Sequence, residues 1–573
     1  MNPNKKDVVR LLETIAVYME LKGENPFKVA AFRKAAGALE ANDDKFSEIK
    51  DFTKLSGIGK GTAAVIEEYI EEGTSTALKE LQEEVPAGLI PLLQLPGLGG
   101  KKIAKLYKEL GIEDAEDLEQ ACRDSKVQAL AGFGKKTEEK ILEALANAGK
   151  RPDRLPAAFM LPIAEDIEAR LAGMESIIRF SRAGSLRRMR ETVKDLDFII
   201  ASDDPSSVKE ALLSLPGIKD VIAAGDTKVS LTFNHQYDVS ADFRIVSQDE
   251  LATALHHFTG SKDHNVRMRQ LAKERGEKIS EYGVENAETG EILTFKDEAA
   301  FYAHFGLPFI PPEIREDGRE VDEFKTGMEL ISLEDIKGDL HMHSTWSDGA
   351  HTIEEMAEAC RKRGYQYLAI TDHSQYLKVA NGLTPERLRK QMEEIRSLNE
   401  KYDDIKILTG IEMDILPDGT LDFEDDLLAE VDVVIASIHS SFSQPKDKIM
   451  ERLKTALMNG HVDIIAHPTG RLIGRREGYQ VDMEMLIELA RETNTALELN
   501  ANPNRLDLAA EHLRKAQEAG VKLVINTDAH KLDTLVHMEI GAAAGRKAWL
   551  RKENVINAYS MEELLSFLKR NDG

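Results

Sequence analysis

The amino-acid sequence predicts a multidomain protein with an α-helical N-terminal part, an α+β middle part and a C-terminal part that has a parallel (β/α)7 fold. Three observations support this fold class. A short glycine pattern recurs three times within the first 150 residues, each time between helical stretches. From about residue 151 strands and helices are mixed. From residue 337 onward, seven short apolar strands alternate with amphipathic helices, which is typical of parallel α/β folds.

The composition is that of an ordinary globular protein without a membrane span. Hydrophobic residues make up 42% and charged residues 31% of the 573 positions. No run of about eighteen apolar residues occurs, and the polar N-terminus leads into an amphipathic helix rather than a signal peptide. Because Cys122 and Cys360 are far apart and lack the spacing of metal ligands, we expect a cytoplasmic protein.

The formal net charge of −26 does not favour a nucleic-acid partner, since phosphate binding normally requires a basic surface. Net charge is a sum over all domains, however, whereas binding depends on local patches. Metal sites also concentrate carboxylates, whose charge bound cations offset in part. The charge therefore leaves a DNA-binding function open.

The repeated N-terminal pattern has the features of a phosphate-binding turn. It reads L-S-G-I-G-K-G from Leu55, L-P-G-L-G-G-K from Leu95 and L-A-G-F-G-K-K from Leu130. Two glycines around an apolar residue permit positive φ and leave amides uncovered at the start of the next helix, where an anion can bind. A single copy would be interpreted as a helix C-cap and a tight turn, but three copies with the same lysine favour phosphate binding.

This pattern resembles the helix-hairpin-helix module, which holds DNA phosphates without reading bases. The resemblance implies that the N-terminal part contacts duplex DNA through backbone amides and lysine ammonium groups. The residues concerned are Gly57, Gly59, Lys60, Gly97, Gly99, Lys101, Gly132, Gly134 and Lys135.

Three aspartates in the middle part are candidates for a metal site. Asp195 and Asp197 are two positions apart on an apolar strand, so their side chains share one face. A later strand, residues 239–246, alternates so that Asp242 faces away from the core. A D-x-D pair alone is common on exposed strands, but the Gly184–Ser185 turn upstream and the third aspartate favour a two-metal site for phosphoryl transfer.

The segment from Gly184 to Asp197 resembles the nucleotidyltransferase motif of the family X DNA polymerases, the class that contains polymerase beta. The resemblance continues with F-T-G-S at Phe258, N-V-R-M-R ending at Arg269 and I-S-E-Y at Ile279, and it covers residues 1 to about 315. It implies a nucleotidyltransferase palm, a thumb, and in-line attack of a primer 3′-hydroxyl on the α-phosphate of a dNTP with two Mg²⁺ or Mn²⁺ ions.

The same resemblance implies roles for single residues. Asp195 and Asp197 would hold both catalytic ions, and Asp242 would join them on one ion. The triphosphate would be bound at Arg154, Gly184, Ser185 and Arg188, the sugar at Phe258 and Gly260, and the nascent base pair at Asn265 and Arg269.

The sequence departs from the family at one position. Members with 5′-deoxyribose-phosphate lyase activity carry a Schiff-base lysine where this chain has Val65. An alkyl group cannot replace an amine nucleophile, so lyase activity through that position is not expected. Lys60 and Lys28 are the candidates to substitute for it.

The C-terminal part carries nine histidine, aspartate and glutamate side chains at or just past strand ends. In a parallel barrel the carboxyl ends of the strands are where catalytic groups gather. A lone histidine there is usually structural, but six histidines and three acids point to zinc, manganese or iron rather than magnesium alone. The nine are His341, His343, Asp348, His373, Glu412, His439, His467, Asp528 and His530.

These motifs resemble the PHP (polymerase and histidinol phosphatase) domain, a distorted seven-stranded barrel with a trinuclear centre. The resemblance implies up to three Mn²⁺ or Zn²⁺ ions. One would be held by His341, His343, Glu412 and Asp528, a second by Glu412, His439 and His467, and a third by Asp348, His373 and His530. Arg471, in H-P-T-G-R, is a candidate phosphate clamp or a surface arginine.

Together the two resemblances indicate a bacterial or archaeal family X polymerase that ends in a PHP domain. We expect short-gap filling in base excision repair, a 3′–5′ exonuclease and possible apurinic-site endonuclease activity. The expected substrates are dNTPs and gapped or nicked double-stranded DNA, and the expected state is a cytoplasmic monomer, nucleoid-associated when it binds DNA. The predicted domains are a helical DNA-binding domain at 1–85, a fingers-type helical domain at 86–150, a palm at 151–260, a thumb at 261–316, a linker at 317–336 and a PHP barrel at 337–573.

Three other functions would explain parts of the sequence. A terminal or RNA-directed nucleotidyltransferase would share Gly184, Ser185 and the aspartates, but would not need three duplex-binding turns. A small-molecule phosphatase such as histidinol phosphatase would account for the C-terminal part alone. A non-catalytic DNA-binding scaffold would not need complete ligand sets at two centres.

Overall fold

The structure is a computed structural model that describes residues 5–40, 49, 51–55, 57–93, 95, 98–147 and 152–568. The chain forms two compact units, Met1–Pro152 and Asp153–Gly573. The described part of the first unit is helical, and the second contains a five-stranded mixed sheet, two small antiparallel sheets and a seven-stranded parallel sheet. No described helix combines the length and the apolar character that crossing a membrane requires.

Helices of the first unit pack around apolar clusters that include Leu12, Ile66, Leu98 and Ile103. At two of the glycine turns the first glycine has a positive φ, +111° at Gly57 and +91° at Gly132. The helices are α1 (Lys5–Lys22), α2 (Pro26–Glu40), α3 (Lys60–Glu72), α4 (Thr76–Glu84), α5 (Leu89–Leu92), α6 (Gly100–Leu110), α7 (Ala115–Arg123) and α8 (Lys135–Asn147).

The second unit begins with a sheet that positions the three aspartates. Its strand order is β2-β4-β7-β6-β5, and only β4 and β7 are parallel. Phe198 and Phe243 stack at 5.3 Å between ring centroids inside the core. The elements are β1 (Leu155–Pro156), α9 (Ala157–Ala172), β2 (Arg179–Arg182), α10 (Gly184–Arg187), β3 (Thr192–Val193), β4 (Leu196–Ala201), α11 (Pro205–Leu213), β5 (Ile218–Ala224), β6 (Lys228–Phe233) and β7 (Val239–Val246).

A smaller module follows, with an aromatic core around Phe301, Tyr302 and Phe305. The segment 317–336, predicted as a linker, is packed: Val321 joins this aromatic core and Ile331 joins the core of the parallel barrel, because both are apolar. The elements are α12 (Leu251–Thr259), α13 (Lys262–Glu274), β8 (Glu277–Ile279), β9 (Val284–Asn286), β10 (Ile292–Leu293), α14 (Glu298–His304) and α15 (Glu320–Glu323).

The last part is a parallel barrel, which confirms the predicted fold. Its strands follow one another in chain order, and a parallel bridge between Met342 and Ala529 connects the first strand region with the last. Each strand begins at the predicted residue or one residue away from it. The strands are β11 (Gly338–Asp339), β12 (Tyr367–Ile370), β13 (Lys406–Asp414), β14 (Val433–Ser437), β15 (Ile464–Ile465), β16 (Ala496–Asn500) and β17 (Leu523–Asn526).

Helices on the outside of the barrel shield strands that are buried on both faces, as in β12, where all four residues are buried. Thr352 begins the first of these helices with a capping box to Glu355. The helices are α16 (Ile353–Lys362), α17 (Pro385–Asn399), α18 (Asp425–Leu428), α19 (Lys446–Met458), α20 (Met483–Thr493), α21 (Ala510–Glu518), α22 (His537–Lys547) and α23 (Met561–Leu568).

Candidate active sites

The parallel pairing of β4 and β7 places Asp197 directly opposite Asp242. Along β7 the odd-numbered residues Ala241 and Phe243 are fully buried, while Asp242 is half-buried on the open face. Asp195 comes one residue before β4, so the strand itself carries only one member of the D-x-D pair. The alternation predicted from the sequence is thus present, and the three carboxylates face the same side of the sheet.

These carboxylates influence one another electrostatically. Burial, together with the charges of Asp195 and Asp242, raises the pKa of Asp197 to about 7. Lys228 Nζ on the neighbouring strand β6 is 2.7 Å from Asp242 Oδ2 and offsets part of the repulsion. Lys228 was not identified from the sequence. It lies on β6, which pairs with β7 in antiparallel orientation and so lies next to Asp242.

The three aspartates do not converge as closely as the ligands of the barrel. Among the described residues, the groups of three or more ligand atoms that lie within 4.8 Å of one another are all in the barrel. The palm aspartates therefore form an open carboxylate face rather than a preformed cage. Since Mg²⁺ keeps several waters and takes few protein carboxylates, together with substrate phosphates, this face suits it.

The glycine-serine turn lies against this face. Gly184 has a φ of +61°, and a Cβ there would collide with Asp197 Oδ2, so both conformation and space require glycine. Ser185 and Arg187 belong to the single-turn helix α10. The structure therefore places Gly184 and Ser185 beside the aspartates, where the resemblance puts the triphosphate.

Arg188 lies where α10 ends and reaches the palm–thumb junction. Its Nη1 donates a hydrogen bond to the Thr259 carbonyl oxygen, and its Nε is 3.5 Å from Glu316 Oε1. A Cβ on Gly260 would come within 3.2 Å of Arg188 Nη1, and Gly260 has a φ of +71°, so this position also requires glycine.

The remaining residues that were predicted to contact the nucleotide differ in their burial and in their partners. Arg154 Nε donates to Thr192 Oγ1 at 3.2 Å, so this exposed arginine is held by β3. Phe258 lies under the guanidinium of Arg244, 4.7 Å from Arg244 Cζ to the ring centroid. Asn265 is 8% exposed and donates from Nδ2 to the His257 carbonyl oxygen at 2.8 Å. Arg269 is exposed on α13.

The predicted DNA-contacting turns share one local geometry in the first unit. The apolar residue between the glycines is buried, as Ile58, Leu98 and Phe133 show, and the lysines that follow are exposed. Gly59 and Gly99 are N-caps with extended backbone, and Gly134 accepts the first hydrogen bonds of α8. Gly97 lies outside the described residues.

The barrel brings together all nine predicted side chains, from six of its seven strands. His341 and His343 come just after β11, which ends at Asp339, rather than on it as predicted. Three groups have ligand atoms within 4.8 Å of one another. They are His343, Asp348, His373 and His530; His341, His343 and Asp528; and His373, Glu412 and His439.

Glu412 lies at the centre of these groups. Its Oε1 is 3.2 Å from His439 Nε2 and 3.0 Å from His467 Nε2, while its Oε2 is 2.8 Å from His373 Nδ1. Both oxygens of one buried carboxylate therefore face imidazole nitrogens from several strands. This is the arrangement of a bridging ligand between neighbouring cations.

The donor set fits metal ions. Among the described residues, no hydrogen bond reaches the buried atoms His341 Nε2, His343 Nδ1, His467 Nδ1 and Glu412 Oε2. Buried polar atoms are almost always paired, so these atoms suit a partner other than the side chains around them. A divalent cation accepts lone pairs from both imidazole and carboxylate and would satisfy them together.

The electrostatics of the barrel lead to the same conclusion. Burial alone would lower the pKa of His439, but the charge of Glu412 raises it to about 10. Burial and the neighbouring His530 and His373 lower the pKa of His343 to about 3. The carboxylates thus favour a positive charge at His439, whereas burial and the neighbouring imidazoles disfavour one at His343.

The structure adds a second layer of residues that sequence reasoning missed. Glu498 on β16, the one strand without a predicted ligand, is fully buried and 2.7 Å from His341 Nδ1. Asp414 Oδ2 is 3.3 Å from His439 Nδ1. Carboxylates behind metal-ligating histidines fix the ring orientation. The sequence does contain a hint of Glu498: in the E-L-N run of β16, polar residues alternate with an apolar one, which places Glu498 and Asn500 on the same face of the strand.

Two ligands have strained backbones: φ is +29° at His467 and +53° at Asp528. Non-glycine residues with positive φ are uncommon and concentrate at functional sites.

Arg471, a candidate phosphate clamp or a surface arginine, lies where barrel and palm meet. Its Nη2 is 2.7 Å from Glu191 Oε1 in the palm, and its Nε donates to the Arg505 carbonyl oxygen at 3.0 Å. The guanidinium is therefore used to join barrel and palm. Arg505, whose Nε is 3.8 Å from Asp528 Oδ2 and whose side chain is 19% exposed, is the cation closest to the metal ligands.

The fold and the two sites define a class of protein: a polymerase-beta-type nucleotidyltransferase joined to a PHP barrel. Family models agree with this. The helix-hairpin-helix domain matches residues 3–75, the SAM-like helix-hairpin-helix tandem 89–147, the DNA polymerase beta thumb 254–316 and the PHP domain 339–502.

Comparison with whole proteins identifies the family. A DNA polymerase/3′-5′ exonuclease PolX of Bacillus subtilis (strain 168) is 67% identical over 569 residues, which cover 99% of this chain and 100% of the relative. The chain belongs to the PolX family of DNA polymerases. The barrel alone is similar to smaller proteins: a probable phosphatase of Thermoanaerobacter sp. is 30% identical over 251 residues, 41% of this chain and 96% of the relative.

Proposed function

We propose that this protein is a DNA-directed DNA polymerase that fills short gaps in base excision repair and also carries a metal-dependent 3′–5′ exonuclease in its barrel. The observation that carries the proposal is the presence of two separate carboxylate-containing centres in one chain of the PolX family, one on the palm sheet and one in the barrel. The first suits nucleotide addition and the second suits phosphodiester hydrolysis.

At the palm, Asp195, Asp197 and Asp242 would hold two Mg²⁺ or Mn²⁺ ions. Bound there, the ions would lower the pKa of the primer 3′-hydroxyl and neutralise charge on the triphosphate. The chain itself would position the triphosphate through the Gly184–Ser185 turn, whose backbone can lie against Asp197 because a Cβ at Gly184 would collide with Asp197 Oδ2. Lys228 holds Asp242 in place from the adjacent strand.

Nucleotide and template contacts complete this site in our proposal. Arg188 and Ser185 would bind the triphosphate, Phe258 and Gly260 would line the sugar pocket, and Asn265 with Arg269 would contact the nascent pair. The free Oδ1 of buried Asn265, which no described residue hydrogen-bonds, supports a contact to an incoming ligand. Arg154 is the weakest of these assignments, because Thr192 already accepts its hydrogen bonds.

At the barrel, we propose up to three Mn²⁺ or Zn²⁺ ions. The distances favour a grouping slightly different from the one that the PHP resemblance implies, since His343 joins the group of Asp348, His373 and His530. Bound ions would activate water and stabilise charge on the phosphodiester. Glu498 and Asp414 would orient His341 and His439, and Arg505 is placed to contact a phosphate oxygen.

The first unit would bind gapped or nicked duplex DNA without sequence preference through its three glycine turns. Exposed Lys60, Lys101 and Lys135 beside open helix N-termini support this role. The domain boundaries given above, a monomeric state, a cytoplasmic location and nucleoid association when bound to DNA remain part of the proposal, as does apurinic-site endonuclease activity.

The test is primer extension and resection on one-nucleotide gapped DNA with two sets of variants. Asp195→Ala or Asp242→Ala should abolish extension while DNA binding and resection remain. His341→Ala with His343→Ala should stop resection and leave extension intact. Normal extension by either aspartate variant, or resection by the histidine variant, would refute the assignment of that site.

A second candidate activity for the barrel is hydrolysis of a phosphomonoester, because smaller proteins that are similar to the barrel are named probable phosphatases. Release of inorganic phosphate from a 3′-phosphorylated primer, without loss of nucleotides, would distinguish this activity from an exonuclease.

A further inference from the structure

A lysine from the barrel lies beside the proposed triphosphate-binding arginine of the palm. Lys547, at the end of α22, has its Nζ 2.7 Å from Glu316 Oε1, 3.1 Å from the Arg188 carbonyl oxygen and 3.3 Å from the Glu313 carbonyl oxygen. Its side chain is 15% exposed. An ammonium group has three donors, and here each has an acceptor from outside the barrel.

The Glu316 carboxylate accepts hydrogen bonds from basic side chains of two domains, the barrel and the palm. Its Oε1 accepts from Lys547, and its Oε2 accepts from Arg190 Nη1 at 3.0 Å. Burial alone would raise the pKa of Glu316, but Lys547 and the two arginines lower it, so the carboxylate stays charged. Both oxygens therefore have strong cationic donors.

Arg188 makes only a long ion pair with the same carboxylate. Its Nε is 3.5 Å from Glu316 Oε1, and no described residue accepts a hydrogen bond from this buried nitrogen. Its Nη1 is held by the Thr259 carbonyl oxygen. The guanidinium thus lies next to a carboxylate oxygen that already accepts a hydrogen bond from Lys547, and its own Nε donates no hydrogen bond to a described residue.

We propose that Lys547 is a positioning residue for nucleotide addition: by occupying Glu316 and the Arg188 carbonyl, the barrel keeps the Arg188 guanidinium available for the triphosphate. The inference rests on the proposed role of Arg188 in the polymerase site. Without Lys547, Glu316 Oε1 can accept a charge-assisted bond from Arg188 Nε, and the incoming triphosphate must compete with it. The barrel is then a structural part of the polymerase.

The experiment is steady-state primer extension with Lys547→Met in the full-length chain. We expect the KM for dNTP to rise about tenfold, the effect of one competing charge-assisted hydrogen bond, with kcat within about twofold of wild type. Adding Glu316→Gln should restore most of the lost affinity, because an amide competes weakly for Arg188. Lys547→Gln, which keeps a donor but not the charge, replaces the methionine variant should that one fail to fold.

Arg546→Met is the matched control. Arg546 precedes Lys547 on the same helix and joins the barrel to Glu313 Oε1 through Nε at 3.0 Å and Nη2 at 2.6 Å. These hydrogen bonds to Glu313 involve neither Arg188 nor Glu316. This variant removes a comparable ion pair between domains and should leave the KM for dNTP unchanged. Resection by the barrel should be unchanged in both Lys547→Met and Arg546→Met.

Three outcomes would overturn the inference: an unchanged KM in Lys547→Met, an equal rise in Arg546→Met, or no recovery when Glu316→Gln is added. The last two would mean that docking of the barrel, rather than Arg188, was disturbed. Failure of the wild-type chain to extend a primer would instead refute the proposed function, so the two failures are distinguishable.

Discussion

The two centres of this protein hold their acidic side chains in different ways. In the palm, Asp242 and Lys228 form an ion pair in which the side chains are 36% and 33% exposed. In the barrel, His341, His343 and Glu412 are fully buried, and neither His341 Nε2 nor His343 Nδ1 makes a hydrogen bond to a described residue. The palm centre is partly neutralised by a lysine, whereas the buried histidines and carboxylates of the barrel centre are costly unless protons or cations balance their charges.

The difference teaches how each centre would acquire its ions. A buried cluster of imidazoles and carboxylates is costly unless cations or protons balance it, so the barrel should bind its ions tightly and keep them. The palm face can remain stable without ions, because solvent and Lys228 compensate the aspartates. Its ions are therefore expected to arrive with the nucleotide, whose phosphates complete their coordination.

The largest effect should come from the residue that joins the barrel groups. Glu412→Gln removes the charge that faces His373, His439 and His467, so ion loading should fail. We expect resection to fall by about a thousandfold or more, equivalent to the several kcal/mol that metal ions contribute. Extension should persist, and Glu430→Gln, on a surface pair with Arg389, is the control. Near-normal resection would contradict a bridging role.

A smaller effect is expected from a change to a residue that contacts a proposed metal ligand without binding the metal itself. Glu498→Gln weakens the hydrogen bond that orients His341, and loss of such partners typically costs ~10–100-fold in metal affinity. Metal content after dialysis against graded chelator, measured by elemental analysis, gives the affinity. Retention of ions equal to wild type would show that His341 is oriented by its strand alone.

The palm should respond to pH because the pKa of Asp197 is raised to about 7 in the absence of ions. Below that pH the carboxyl carries a proton that a cation must displace, so affinity falls as pH falls. The Mg²⁺ concentration for half-maximal extension should rise about tenfold from about pH 8 to about pH 6. At saturating Mg²⁺ this difference should shrink. Equal half-saturation at both pH values would refute the coupling.

The smallest effect concerns the glycine turns. Lys60→Ala should weaken binding to gapped DNA equally for all sequences and reduce the slope of log K against log salt by about 1. Lys54→Ala provides a comparison, since Lys54 lies before the turn rather than at the start of α3. An unchanged slope would remove Lys60 from the interface.

Much of the fold was predictable, and the reason is local. The barrel strands are buried on both faces, so they appear in the sequence as short apolar runs, and each was located to within one residue. Glycine turns were visible because positive φ at Gly57 and Gly132 restricts the residue type. The nine barrel residues were found because they lie at or after the ends of apolar strands, and the parallel arrangement then brings strand ends together.

Contacts between distant segments were not predictable. Arg471 was interpreted from its neighbours in H-P-T-G-R, yet its partner is Glu191, which is 280 positions away. Glu498 accepts a hydrogen bond from nearby Asn500, but its contact with His341, 157 positions away, appears only when the barrel brings β16 close to the residues that follow β11. The segment 317–336 seemed a linker because its few apolar residues pack against different cores.

By itself the sequence determined the kinds of chemistry: which strands end in imidazole and carboxylate groups, which turns require glycine, and which family the chain resembles. These features depend on residue type and short-range periodicity. Only the tertiary structure decided which of these groups compensate one another, as Lys228 does for Asp242 and Lys547 for Glu316. The physical reason is that electrostatic and hydrogen-bond partners are selected by distance in space, which packing sets and chain order does not.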